Sequence, residues 1–363
     1  MKKKRIIGVL TGGGDCPGIN AVIRAVVKRF ICDCCGEVIG IEDGYDGLIH
    51  NRHRNITFDN VSGILTLGGT ILGTSKQANP YHYAVHESKN LSFKDMSRTA
   101  IQNIRDLNIS CLVCIGGDGT LGIAHRLYQD GIPVVGIPKT IDNDIRGTDI
   151  TFGFDSAVSI ATEGIDRIHT TAESHHRIMI VEVMGHHSGW LALHSGIAGG
   201  ADIILLPEIP YNVGKIARKV KERHKKGKRF SIVVIAEGAK PKGGDIVIQR
   251  IVQESADPIR LGGIGFVLGK QLEKMTGLET RTVVMGHLLR GGSPTPFDRI
   301  LATQLGTKAV DMIYQKFFGK MVGVKDNTFI DVPLSVVAKG SRFVPLNDIL
   351  LKSARGIGIC FGD

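Results

Sequence analysis

Short apolar runs rich in Ile and Val alternate with longer stretches of helical period through most of this chain. Residues 6–10, 38–41, 112–115, 134–137, 178–183, 203–206 and 232–236 read as strands. Runs this short and this continuously apolar suit strands buried on both faces. Between them, residues 20–30, 97–107, 121–129, 157–170 and 212–226 read as helices. Strands alternating with helices predict an α/β fold built on parallel sheets covered on both sides. A change in character near residue 153 marks a second α/β unit without a low-complexity linker, so two doubly wound, mostly parallel-sheet domains are expected. Residues 257–280 are glycine-rich and read as a loop-and-helix excursion before a strand at 282–285.

Two polar stretches interrupt this pattern where strands end. Ile115-Gly116-Gly117-Asp118-Gly119-Thr120 offers three glycines and a carboxylate, and Pro138-Lys139-Thr140-Ile141-Asp142-Asn143-Asp144 sets acidic and amide groups behind a lysine. In open α/β sheets ligands bind beyond the carboxyl ends of strands. Glycines let backbone N–H groups approach phosphate oxygens, and a helix N-terminus that follows adds an anion site. Thr11-Gly12-Gly13-Gly14-Asp15 after the first strand has the same layout. Carboxylates beside such cradles suit a divalent metal and a base that removes a hydroxyl proton. Phosphoryl transfer needs this set of parts.

Composition changes the picture little. At 363 residues, 42% hydrophobic and 22% charged, the chain suggests two domains and needs no disulfide staples for its core. No apolar run approaches the roughly 20 residues of a membrane span. The basic start, Met1 to Arg5, leads into an apolar run too short for a signal peptide, so a cytoplasmic protein is expected. Seven cysteines in such a chain read as reduced thiols. Cys32, Cys34 and Cys35 cluster without a second Cys/His pair at zinc-like spacing. Cys111 and Cys114 have CxxC spacing but sit in a strand, where i and i+3 point to opposite faces. The net charge of +10 raises the question of nucleic acid, yet aromatic residues are only 6% and do not interleave with the basic stretches. Its densest part, 218–229, reads as a solvated helix face, and other arginines suit phosphorylated small molecules. Neither a nucleic-acid nor a membrane partner is expected.

Taken in order along nearly the whole chain, the motifs resemble those of the 6-phosphofructokinases. They are Thr11 to Asn20, Gly68-Gly69-Thr70-Ile71-Leu72-Gly73-Thr74-Ser75, GGDGT, PKTIDND, Thr151 to Ala157, Glu182-Val183-Met184-Gly185, Gly196 to Gly200, Ala236-Glu237-Gly238, and Gly286-His287-Leu288-Leu289-Arg290-Gly291-Gly292-Ser293-Pro294. The resemblance implies transfer of a phosphoryl group from ATP, with Mg2+, to the 1-hydroxyl of fructose 6-phosphate. It implies a nucleotide-binding domain of residues 1–152 with about 290–345, and a sugar-phosphate domain of 153–289 with the tail 346–363. Asp142 becomes the base, its proton affinity expected to be raised by Asp144, with Thr140 and Lys139 beside it. Asp118 becomes the metal holder. Gly13, Lys76, Gln77, Gly117, Gly119 and Thr120 line the nucleotide, with Lys76 standing where many relatives carry arginine. Thr140, Ile141, Met184, Gly185, His186, Glu237, His287, Leu288, Leu289 and Arg290 go with the sugar phosphate. Arg177 and Arg281 go there too, by reaching into a neighbouring subunit's site, which implies a homotetramer or homodimer.

Two departures leave choices open. His186 replaces an arginine thought to face the transferring phosphoryl. It could carry charge there if the phosphates raise its pKa, Lys139 could do so instead, or His186-His187 could be an ordinary loop pair. The phosphoryl donor is also open. Pyrophosphate users in this family typically have aspartate where this chain has Gly119, a carboxylate that would exclude ATP by bulk and like charge. They also typically have lysine at the position of Lys139, where many bacterial ATP users have glycine. Removal of an exclusion bears most directly on donor choice, so ATP is favoured over pyrophosphate; another sugar phosphate, such as sedoheptulose 7-phosphate, remains an alternative acceptor.

Overall fold

The computed structural model describes residues 5–87, 90–253 and 259–363. Two parallel sheets organise it. The larger has seven strands in the order Thr328–Pro333, Lys320–Lys325, Val134–Pro138, Ile109–Gly116, Ile6–Thr11, Glu37–Ile41 and His53–Ile56. Its five inner strands are parallel, and each edge strand is antiparallel to its neighbour. The smaller sheet is wholly parallel, in the order Thr280–Val284, Ile178–Val183, Ser231–Ala236 and Ile203–Leu205.

The strand Ile109–Gly116 illustrates why the apolar run was legible. Cys111, Val113 and Ile115 enter the core on one face, while Leu112 and Cys114 enter the core on the other. Period-two alternation thus buries every position from Cys111 to Gly116. The two CxxC thiols accordingly stand on opposite faces, and burial pushes Cys114 up to about 12 and Cys111 well above its usual range. Cys32 and Cys35 are exposed at the end of the helix Ile19–Cys34.

Helices cover both sheets, and three of them bear on the site. Asp118–Gln129 follows the strand Ile109–Gly116, Trp190–Ala198 lies on the smaller sheet, and Pro296–Tyr314 packs on Ile19–Cys34. That last contact is tight: a Cβ on Gly306 would stand 2.7 Å from the Ala25 methyl. The basic run proves to be the helix Val213–Lys225, with Ile216, Ala217 and Val220 buried and its charges turned outward.

The expected strands and helices are present with ends shifted by a few residues. The strand expected at 282–285 runs instead over Thr280–Val284, because its first residues pair with Ile178 and Met179. Of the 257–280 excursion, Asp257 and Pro258 lie outside the described residues; the rest forms Ile259–Leu261, paired with Ile248–Ile251, and the helix Ile264–Thr276. The basic start, apart from Arg5, also lies outside them. Among the described residues no helix is long and apolar enough to cross a membrane.

Candidate active site

Three neighbouring strands of the larger sheet, Ile6–Thr11, Ile109–Gly116 and Val134–Pro138, end in the three polar loops picked out above. Their parallel direction brings Gly12–Asp15, Gly117–Thr120 and Lys139–Asp144 to one edge. In the smaller sheet, Ile178–Val183, Ser231–Ala236 and Thr280–Val284 end at Met184–His186, Glu237 and Met285–Arg290. These two edges face each other. Ser188 Oγ donates to Asp142 O at 3.2 Å, and Arg290 Nη1 donates to Asp15 O at 3.1 Å.

At Gly12, Gly14 and Gly116 the glycine loops are packed too closely to admit side chains. Gly12 N donates to Ile115 O at 3.0 Å and Gly13 N to Ser75 O at 3.1 Å, while Thr74 Oγ1 closes onto Gly13 O at 2.7 Å. Thr120 wedges between Gly12 and Gly116: a Cβ on Gly12 would come within 2.6 Å of Thr120 Oγ1, and one on Gly116 would collide with the same side chain. Gly13 has φ +77°, a conformation that glycine alone adopts freely. Gly117 caps the helix Asp118–Gln129 without a side-chain bond, so the N–H groups of its first turn other than Gly119 N are left for a ligand. Asp118 and Gly119 are exposed; Asp118 Oδ1 accepts Gly119 N at 2.7 Å, and around Gly119 there is open space.

Cations converge on this cradle. Lys139 is buried and its Nζ donates to Gly14 O. A Cβ on Gly14 would strike the Arg290 guanidinium and approach Lys76 Cε at 3.0 Å. Partial desolvation holds Lys76 down to about 8, although the residue remains open to solvent; the charges of Arg290, Arg260 and Lys139 add to it. Burial lowers Lys139 as well. Three ammonium and guanidinium groups gathered around the glycine loops form a place for phosphate oxygens. Gln77 is exposed beside Lys76.

Asp142 is half-buried in a turn closed by its own N–H on Thr140 Oγ1 at 3.1 Å, with the Thr140 hydroxyl 3.4 Å from Oδ2. Its Oδ1 is buried without a hydrogen-bond partner. Asp144 is buried, and desolvation, followed by the charges of Asp142 and Asp118, raises its pKa well above the usual carboxylate range. Ile141 is fully buried in the core, so its side chain is turned from the cleft.

Across the cleft, Met184 is half-buried and Gly185 has φ +147°. His186 N donates to Glu237 Oε1 at 3.0 Å, and the His186 and His187 rings lie 4.0 Å apart. Burial and the Asp142 charge push Glu237 up to about 7. Leu289 is buried while His287 and Leu288 are exposed. Arg177 and Arg281 stand apart. They belong to the amino ends of Ile178–Val183 and Thr280–Val284, about 20 Å of strand from Met184. There they share the Glu279 carboxylate, with Arg177 Nε at 2.5 Å, and hold it below its usual range.

Several contributors lie outside every motif. Ser188, Trp190, Glu279 and Arg342 each touch site residues or their loops, and Arg260 adds charge near Lys76. Ser188 follows Met184 to His187 directly and could have been read with them. Arg342 comes about 200 residues after the loop that it touches and carries no local signature.

Glycine turns, an uncapped helix start and converging cations at the carboxyl edge of parallel strands define an α/β phosphate-binding protein with a base at hand. The phosphofructokinase family model matches residues 6–313, and the chain belongs to the phosphofructokinase family. It is 50% identical over 365 residues to "ATP-dependent 6-phosphofructokinase 2" of Clostridium perfringens, covering all of both chains. With "ATP-dependent 6-phosphofructokinase" of Chloroflexus aurantiacus it shares 49% over 363 residues, 99% of each. Among solved structures, the Pichia pastoris phosphofructokinase in the T-state matches at TM-score 0.79 and 31% identity over 93% of this chain, which spans 36% of the Pichia chain. A pyrophosphate-dependent phosphofructokinase from Marinobacter aquaeolei shares the fold at TM-score 0.80 and 21% identity, covering 98% of this chain and 92% of that one.

Proposed function

We propose that this chain transfers the terminal phosphoryl group of ATP to the 1-hydroxyl of fructose 6-phosphate, giving fructose 1,6-bisphosphate and ADP in glycolysis. The observation that carries this is the buried, unpartnered Oδ1 of Asp142 on the same edge as the cations around Gly14. Full-length relatives at 49–50% identity bear the same name, ATP-dependent 6-phosphofructokinase.

Asp142 Oδ1 accepts the hydroxyl proton as the oxygen attacks, and Thr140 keeps the carboxylate oriented. Gly13, Gly117, Gly119 and Thr120 line the nucleotide phosphates at the start of the helix Asp118–Gln129. Lys139 and Lys76 spread charge over the phosphoryl in flight, and Arg290 with His287 goes with the 6-phosphate of the sugar. Glu237 accepts a sugar hydroxyl, and Met184, Gly185 and His186 close over the ring. Space beside Gly119 admits the α-phosphate of ATP.

Mg2+ fits this arrangement. Among the described residues no group of three His, Cys, Asp or Glu side chains could hold a metal alone, and Mg2+ prefers one or two carboxylates together with phosphate oxygens and water. Asp118, exposed with one oxygen engaged, would hold it, and the ion would neutralise charge on the transferred phosphate.

The seven-stranded unit, residues 1–152 with about 290–345, is the nucleotide side in this reading; 153–289 with 346–363 is the sugar-phosphate side. Arg177 and Arg281, remote from their own chain's cleft, suit a neighbour's 6-phosphate in a homotetramer or homodimer. An enzyme of ATP and sugar phosphates is expected in the cytoplasm. Coupled assays with ATP and with pyrophosphate test the donor: turnover with pyrophosphate and none with ATP would overturn it. Asp142→Ser should slow transfer by several orders of magnitude with substrate binding nearly intact; unchanged turnover would reject the base.

A further inference from the structure

Three successive carbonyls around the base are held from outside their loop. Asp142 O accepts Ser188 Oγ at 3.2 Å, Asn143 O accepts Arg342 Nη2 at 2.7 Å, and Asp144 O accepts Arg342 N at 2.6 Å. Arg342 Nη2 also reaches Asp149 O at 2.9 Å. Between these anchors Asn143 adopts φ +51°, a left-handed conformation for a residue that bears a side chain. Such backbone costs on the order of 1 kcal/mol and persists where its surroundings over-determine it. Asn143 contributes to that itself, donating from Nδ2 to Asp149 O at 3.2 Å and accepting Thr151 N at 3.0 Å.

Arg342 is itself fixed. Its guanidinium lies 4.4 Å over the ring of Trp190, and its carbonyl accepts Trp190 Nε1 at 3.3 Å. The segment around it runs as a strap over the catalytic loop. Ser341 bridges to Ile145 and accepts Arg146 Nε at 2.9 Å. Val344 N donates to Glu208 Oε1 at 2.9 Å, the oxygen that also takes Gly189 N at 2.9 Å. The strap therefore ties the larger sheet's base loop to the start of the helix Trp190–Ala198 on the smaller sheet. The hydrogen bonds that Arg342 donates all go to backbone carbonyls of residues 143–149, the segment that aims Asp142, and its guanidinium face rests on Trp190.

We propose that Arg342 is a positioning residue for phosphoryl transfer, holding residues 142–144 so that Asp142 Oδ1 faces the acceptor hydroxyl. This rests on Asp142 being the base. Displacing a base by about 1 Å costs on the order of a hundredfold in rate, so Arg342→Ala should lower kcat at least tenfold while leaving KM for ATP within about twofold. Guanidinium ion, compared with sodium at equal ionic strength, should restore part of that kcat. Trp190 is the only tryptophan, and its emission should shift in the variant and return with guanidinium. Wild-type kcat in the folded variant would overturn the proposal. So would a loss that matches the unfolded fraction and does not respond to guanidinium. Should Arg342→Ala not fold, Arg342→Lys decides: a severalfold lower kcat at the wild-type melting temperature supports positioning, and an unchanged kcat rejects it. Asp142→Asn, assayed alongside, separates the two readings. If it retains kcat the base assignment fails, whereas if it loses kcat and the Arg342 variants do not, positioning alone fails.

Discussion

Gly119→Asp isolates the electrostatic part of donor choice from folding. Gly119 is the second residue of the helix Asp118–Gln129, is exposed, and has no atom within 4 Å of where a Cβ would stand. The backbone accepts a side chain there. An acid in the first helical turn is worth about 0.3–1 kcal/mol, and replacing a glycine of ordinary φ removes unfolded-state freedom of similar size. Stability should hold or rise. If the new carboxylate came within about 5 Å of a phosphate oxygen, two unit charges would repel by about 1 kcal/mol in water and about 3 at an effective dielectric of 20. The kcat/KM for ATP should then fall about fivefold to about 150-fold. A coupled ADP assay measures this, with KM for fructose 6-phosphate and thermal unfolding as controls. Turnover with pyrophosphate, which has no α-phosphate beyond the reacting pair, should not fall with it. An ATP kcat/KM within twofold of wild type would refute the charge argument. A drop of several degrees in Tm would refute the steric one.

Glu237 links pH to stability. Its carboxyl is raised from the usual 4.5 to about 7 by burial and by Asp142, so its contribution is greatest below about 4.5 and is lost as pH rises through 7. Glu237→Gln should therefore be more stable than wild type at pH 8, by about 1–3 kcal/mol, and equal to it near pH 4.5; denaturant unfolding at the two pH values checks the sign. Gly238→Ala should unfold several degrees earlier and raise KM for fructose 6-phosphate, because its methyl would collide with the His186 carbonyl; unchanged saturation kinetics would disprove it. Inactive Arg177→Ala and inactive Asp142→Ser chains, mixed and allowed to exchange subunits, should regain about a quarter of wild-type activity if each arginine serves its neighbour. No recovery after exchange verified by mass would place Arg177 in its own chain's site or in none.

Most of the parallel strands were legible because they are buried on two faces and read as unbroken apolar runs; Lys320–Lys325, parallel and mostly buried, was still missed, and Thr280–Val284 carries Arg281 on an exposed face. The loops at their carboxyl ends were legible because close packing around Thr120 demands glycine and leaves that demand in the sequence. The antiparallel edge strands His53–Ile56 and Thr328–Pro333 were not, since one strand face there is open and polar residues interrupt the pattern. The helix Pro296–Tyr314 lacks a clear apolar stripe, being packed on more than one side. Within the site, residues in motifs were found and residues acting from a distance were missed. On the base loop Arg342 meets only carbonyls, which every residue presents alike, so nothing in the Ile141-to-Asp144 stretch announces which side chain will hold it. Glu279 shows the same limit for Arg177 and Arg281: the arginines stand out, but their resting ion pair at the far end of the strands does not.

The strap over residues 142–144 also sets an order of events. Its contact between Arg342 and Asn143 closes a loop of 199 residues, whereas the pairings of Ile6–Thr11 with Glu37–Ile41 and of Ile109–Gly116 with Val134–Pro138 join nearer neighbours. Contacts of large sequence separation form late, because the chain between them must be ordered first. During refolding, apolar burial and most secondary structure should therefore return before the left-handed turn at Asn143 is locked. The protein becomes compact first and competent afterwards. The lag between them should show in its single indole, which meets the guanidinium only when the strap closes.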